Sequence, residues 1–314
     1  MKNFRLQKLW GACAVVVGML VATGGAKAAS YTWTGASSTL WGEAGNWSPR
    51  GVPTLGDSAT IGDGRSVLLG LDTLVTDLTT GVGTTILGSP VLTVAGTFTD
   101  NGSNLDGAGA LAILSGAAMN YNGSANPNAN GSRPLSNSGT VSINSGTLVV
   151  GTASLQNAGT LKFNGGNLSV VAPLGLEGVI QILGGSVRGI GTINGHVTNA
   201  ALFAPGYSPG TITINGNYTQ TSTGRLDMEI GGTSPGTGYD QLIVKGSATL
   251  GGTINLIRYN NYLPPVGSSF KLITYYSVAG SFTTIYGLYP SSDRYYKITK
   301  APSYFLASVS WSSA

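Results

Sequence analysis

Few residues in this chain could carry chemistry, and their spacing narrows the chemistry further. His196 is the only histidine and Cys13 the only cysteine, so Ser-His-Asp and Cys-His catalysis and multi-histidine metal sites are confined to very few geometries. His196 follows Asn194-Gly195 and is expected near a corner, partly exposed and without a partner visible in sequence. Carboxylates remain. Asp227 and Glu229 alternate onto one strand face in Leu226-Asp-Met-Glu-Ile, the placement a pair of acids working on a glycosidic bond would use; a solvated outer face gives the same pattern. Asp72 and Asp77 straddle a strand in the same way. Asp240, in Gly238-Tyr-Asp-Gln-Leu, stands just before a strand, where its side chain is expected to bond nearby backbone amides as a structural corner. Calcium is the competing reading, but no Gly-Gly-x-Gly-x-Asp repeat or twelve-residue acidic loop is present.

Aromatic and hydroxyl side chains offer binding rather than catalysis. Trp33, Trp41 and Trp47 could stack on sugar rings, as could Tyr275, Tyr276, Tyr295 and Tyr296; the competing role is to seal an open end of the core, since aromatics bury much area per residue. Thr211-x-Thr213 suits a ladder of hydroxyls on a flat ice- or crystal-binding face, yet Val141-x-Ile143 and Leu161-x-Phe163 occupy the comparable slots in the clear repeats. The glycine-rich stretches lack Gly-Lys-Ser/Thr and a strand-to-helix context, so neither phosphate binding nor any other cofactor is indicated.

The elements that would position these residues begin after a leader. Residues 1–28 read as a secretory signal peptide: Lys2, Arg5 and Lys8, an apolar run from Gly11 to Ala22, and the small-x-small pattern Ala26-Lys27-Ala28. Of the 16 basic residues four lie in this leader, leaving 12 against 12 Asp and Glu. The basic balance therefore belongs to the leader and gives no support for nucleic-acid binding. Cys13 also lies there, so the exported chain has neither a disulfide nor a thiolate site, and nothing after the leader approaches the roughly 20 apolar residues of a transmembrane helix.

Internal repetition is the strongest signal in the remainder. Asn137-Ser-Gly-Thr-Val-Ser-Ile-Asn-Ser-Gly-Thr-Leu-Val-Val is matched by Asn157-Ala-Gly-Thr-Leu-Lys-Phe-Asn-Gly-Gly-Asn-Leu-Ser-Val and, more loosely, by the segment from Glu177, at spacings of 20 and 19 residues measured between corresponding positions. Apolar residues alternate within each unit, as in Val141 and Ile143 or Leu161 and Phe163, which predicts strands with one buried face. Asn-Ser-Gly and Asn-Gly-Gly supply the corners. A unit this short cannot bury its face alone, but a stack of copies can, and the in-register corners favour a parallel β-helix over an antiparallel sandwich. Roughly eight to ten coils at about 4.8 Å each would make a rod some 40 to 50 Å long, with residues 118–136 looping out. The predicted organisation is an N-terminal cap with first strands at 29–79, coils at 80–256, and an aromatic C-terminal β cap at 257–314 holding Pro264-Pro265; the aromatic ends predict a monomer.

Two ends of the chain carry a family resemblance. Trp33-Thr-Gly, Trp41, Asn46-Trp-Ser, Gly51-Val-Pro and Asp57-Ser-Ala-Thr-Ile resemble the opening of bacterial autotransporter-type passenger proteins; Ala204-Pro-Gly-Tyr-Ser-Pro-Gly-Thr-Ile, Gly238-Tyr-Asp-Gln-Leu-Ile-Val, Gly246-Ser-Ala-Thr-Leu and Gly267-Ser-Ser-Phe-Lys-Leu-Ile resemble their final coils. The resemblance implies an all-β, right-handed parallel β-helix at or beyond the cell surface, periplasm being the second choice. Autotransporters end in a membrane β-barrel; this sequence stops at Ser312-Ser313-Ala314 without one, and is expected to use separate export machinery or to remain attached through partners. The expected function is a non-catalytic structural or adhesive protein acting in adhesion, biofilm matrix or envelope structure, with cell-surface polysaccharide or other surface proteins as partners. The alternative is a β-helix that binds or cleaves polysaccharide; three or more carboxylates and basic residues converging in one groove would weigh against the structural reading, and scattered charges against an enzyme.

Overall fold

The period-two alternation becomes three walls of short parallel strands. The computed structural model describes residues 28–123, 132–151, 154–172 and 177–312; the predicted leader lies outside the described residues except for Ala28, as does the middle of the predicted 118–136 loop. One wall contains ten strands, every neighbouring pair parallel, from Thr73–Val75 to Ser277–Gly280. Nine spacings of about 4.8 Å give this wall a height of about 43 Å. The chain is a parallel β-helix, and among the described residues no strand pairing closes into a barrel.

Register shows why the stack holds. Leu78, Phe98, Met119, Val141, Leu161 and Val187 stand one above another in successive coils of a second wall, all buried. Each brings about 1.5–3 kcal/mol of apolar burial, which no isolated coil could gain. The third wall repeats the device with Leu148, Leu168, Ile193, Ile214 and Val244.

Corners differ from one another. Thr160–Val170 runs through a corner as one strand, its register shifting between Asn164 and Asn167; Gly165 makes that bend at φ 100°, a conformation costly to any side chain. Gly185, at φ 58°, also lies so close to the coil below that an added Cβ would stand 1.9 Å from the Gly159 carbonyl oxygen. The asparagines of the repeats do not adopt the left-handed conformation. They act through their side chains: buried Asn137 donates from Nδ2 to Asn157 Oδ1 (2.6 Å) and to the Thr160 carbonyl (3.0 Å), while Asn157 donates to the Gly159 carbonyl (2.9 Å). A second, exposed ladder runs Asn164 to Asn144 to Asn122 across another corner.

The predicted 118–136 loop is too long at both ends. Ala118–Tyr121 is a strand paired with Thr97–Asp100 and Thr140–Ile143, and Leu135–Asn137 is a strand of the ten-stranded wall. Met119 and Tyr121 fill inward slots and leave Asn120 outside, so the alternation persists through a polar sequence. Coils also extend into both end segments, from Ser58–Ile61 to Thr284–Tyr286. At the first coil, Ser30–Trp33 pairs in parallel with Ser58–Ile61 and antiparallel with Trp47–Ser48. At the last, Tyr304–Trp311 pairs antiparallel with Ser269–Thr274 on one side and with Arg294–Ala301, its hairpin partner, on the other.

Candidate functional site

Among the described residues, three carboxyl groups and a guanidinium gather where Ser186–Asn194, Leu202–Pro205, Arg225–Ile230 and the turn before Gln241–Val244 meet. Arg225–Ile230 presents Asp227 and Glu229 on one side, as the alternation predicts, and Arg188 comes from two coils below, paired with Ala204 of the intervening strand Leu202–Pro205. The segment from Ala204 to Gly210 folds over them, held by reciprocal bonds from Gly206 N to Gly189 O (2.7 Å) and from Gly189 N to Gly206 O (3.2 Å). Asp240 anchors this loop: one carboxylate oxygen accepts from Gly210 N at 2.7 Å and the other from Glu229 N at 2.6 Å. Arg188, Tyr207, Asp227, Glu229 and Asp240 thus line one cavity of about 90 Å³.

Electrostatics separates the three carboxylates. Asp227 is paired with Arg225, whose Nε and Nη2 donate to its two oxygens, the latter at 2.8 Å. Burial pushes Asp240 up to about 8, with its two backbone N–H bonds pulling against the shift and Glu229 and Asp227 adding to it. Glu229 is raised for the same reason, opposed by Arg188, and its Oε2 is buried without a hydrogen-bond partner. Three acids and a guanidinium do converge here, which the sequence alone left as a solvated face and a corner.

The arrangement nevertheless suits holding better than cleaving. A sugar-cleaving pair needs two carboxyl groups facing a substrate, and ligand sites are cavities of about 300–1,000 Å³. This cavity is several times smaller. Both Asp240 oxygens point at backbone and Asp227 at its own arginine, so Glu229 is the one carboxyl of the three with an oxygen uncommitted. Among the described residues no group of three or more metal-ligating side chains is arranged for a metal ion.

The other predicted sites disperse. Trp33, Trp41 and Trp47 are buried and packed edge to face, with Trp47 rings 4.9 and 4.8 Å from those of Trp33 and Trp41. Their faces cover each other and the first coil instead of being open to a sugar, because Trp47 Nε1 is fixed on the Trp41 carbonyl at 2.8 Å. Tyr275 and Tyr296 are buried as well, Tyr295 is half-buried against Tyr289, and Tyr276 is 83% exposed. His196 has a partner after all: its Nδ1 accepts from Asn217 N at 3.0 Å and lies 3.4 Å from Glu177 of the preceding coil. Asp72 and Asp77 accept N–H bonds from Val91 (2.8 Å) and Thr97 (2.7 Å), one coil further on.

Thr211 and Thr213 do face outward, but Val141 and Ile143 face inward and are not their counterparts. Thr213 stands in register with Thr192 on one side and Ile243 on the other, so this ladder is two threonines tall. A taller one, Thr32, Thr60, Thr79 and Thr99, lies on another wall and could have been found from the coil spacing of those threonines. Two buried polar anchors had no local signal. Asp100 sits in the core between Thr80 and Tyr121, bonded to Thr80 Oγ1 (3.2 Å), Gly102 N (3.0 Å) and Ser103 N (2.7 Å). Arg133 donates to the carbonyls of Pro90, Gly109 and Gly88 at 2.7–3.0 Å, tying separate coils together.

Comparison with protein-family models gives no matching family, and a search of the curated proteins gives no match.

Proposed function

We propose that the protein is a non-catalytic structural or adhesive solenoid of the cell exterior, exported by its leader and of the autotransporter-passenger kind. The observation that carries this reading is the use made of the carboxylates: Asp72, Asp77 and Asp240 accept backbone N–H bonds between coils or strands, and Asp100 accepts them within its own buried turn, so that all four serve the rod itself. A chain whose polar groups are given over to one long stack offers extended surface, which is what adhesion or a matrix requires. Fractionation of the producing cells with immunodetection tests the location: protein in the medium or on intact cells is expected, and recovery from the cytoplasm alone would sink the proposal.

Polysaccharide binding without cleavage is the second reading. It is favoured by a groove of about 610 Å³ on the outer side of the ten-stranded wall, where Thr93, Ser136 and Gln156 supply polar groups beside Leu114 and Pro134. Its size falls within the range for small-ligand sites. Affinity electrophoresis through gels containing surface polysaccharides decides it: retardation relieved by Gln156→Ala supports binding, and unchanged mobility in every gel removes it.

A further inference from the structure

The two ends of the rod are chemically opposite. Residues 29–79 carry Glu43, Asp57, Asp63, Asp72 and Asp77 against Arg50 and Arg65, a formal charge of −3; residues 257–314 carry Arg258, Lys271, Arg294, Lys297 and Lys300 against Asp293, a formal charge of +4. In a mature chain with 12 charges of each sign, this is a separation along the rod axis and not an excess. Charges so arranged steer association and select which end meets which.

The same two ends carry the unpaired edges of one wall. Thr73–Val75 is its first strand and Ser277–Gly280 its last, each with a single partner among the described residues. An open edge is a template for another strand. Beside Thr73–Val75 lies an apolar groove of about 590 Å³, lined by Leu40, Val52, Leu55, Leu71 and Leu74, of which Leu71 is 81% exposed. Beside Ser277–Gly280 stands Tyr276, 83% exposed, and Lys300 Nζ rests 2.6 Å from the Gly280 carbonyl, placing positive charge at the edge itself.

Against the monomer that the aromatic ends alone predict, we infer that the rods join head to tail: the basic, tyrosine-bearing C-terminal end of one copy docks on the acidic, leucine-lined N-terminal end of the next. Ser277–Gly280 then lies parallel to Thr73–Val75 of the second copy, and the ten-stranded wall continues across the junction. Opposite charge orients the approach, the groove takes the exposed aromatic surface, and the strand edges complete each other's hydrogen bonds. Because the two surfaces differ, the contact does not close on itself and chains of copies result. The inference rests on the ends of the rod and not on its location in the cell.

Sedimentation velocity of the purified protein tests it at about 0.01 M and about 1 M salt, where charges act over about 30 Å and about 3 Å. At low salt the distribution is expected to grow with concentration through dimer, trimer and larger species, and at high salt to shift back toward monomer. Leu71→Lys, which places a cation at the acidic end on an exposed side chain, is expected to weaken assembly at least about tenfold, whereas Leu183→Lys, on an exposed residue away from both ends, is expected to assemble as wild type; matching thermal melts show that both variants are folded. A monomer at every concentration in low salt overturns the inference. So does growth that stops at two copies, or undiminished assembly of Leu71→Lys.

Discussion

Asp240 sits under opposed demands. Two backbone N–H groups favour its charged form, while burial and the neighbouring Glu229 and Asp227 favour the neutral one and prevail, raising it to about 8. The groups facing it are Glu229, Asp227 and Arg188, with Arg225 engaged by Asp227 and Tyr207 at the rim. An unfolded aspartate titrates near about 3.9, so between about pH 4 and about pH 8 the folded chain holds a proton that the unfolded chain has released. Stability from this group is therefore complete below about pH 4 and lost as pH rises through about 8. The midpoint of urea unfolding is expected to fall between about pH 5 and about pH 8, and Asp240→Asn, which cannot titrate, is expected to reduce that slope by about half. Buried Asp100, also raised by burial, supplies part of the remainder. Equal slopes in the two proteins would remove Asp240 from the account.

At the scale of the strand and corner, two asparagine ladders and two glycines allow matched comparisons. Asn157 is buried and both accepts from Asn137 and donates to Gly159; Asn164 is exposed and bonds to Asn144. Asn157→Ala leaves a buried donor unpaired and should cost about 1–3 kcal/mol, against less than about 1 kcal/mol for Asn164→Ala, where water replaces the lost partner. Gly165 and Gly185 both have positive φ, but a Cβ on Gly165 meets open space while one on Gly185 meets the Gly159 carbonyl. Gly165→Ala should therefore cost about 1–2 kcal/mol of backbone strain, and Gly185→Ala clearly more, as read by denaturant midpoints. The sequence shows strand alternation and corner spacing directly, because both are local patterns, and Val141, Leu161 and their coil mates were identifiable from it. What joins Asp227, Glu229, Asp240 and Arg188 is stacking between residues up to 52 positions apart, which no local period records. The extra strand at Ala118–Tyr121 escaped because its inward Tyr121 and outward Asn120 sit in a run of polar residues.

For the whole molecule, stability is a chain of neighbour-to-neighbour terms, so opening should proceed from the edges. In the dilute monomer at high salt, amide exchange is expected to be faster in Ser277–Gly280, which has one neighbour strand, than in Thr140–Ile143, which has two; uniform protection along the rod would contradict this. Far-ultraviolet circular dichroism should report strand with almost no helix. One more property follows from coils that keep register while their lengths vary, from 16 residues between Val187 and Phe203 to 31 between Leu242 and Ile273. Because Thr140–Ile143 and Thr160–Phe163 occupy the same place in successive turns, excising residues 140–159 joins Gly139 to Thr160 and seats Leu161 over Met119, so the shortened chain should still fold. Length in this protein can be edited a turn at a time, and a lineage could lengthen or trim its reach by copying or dropping single turns without redesigning either end.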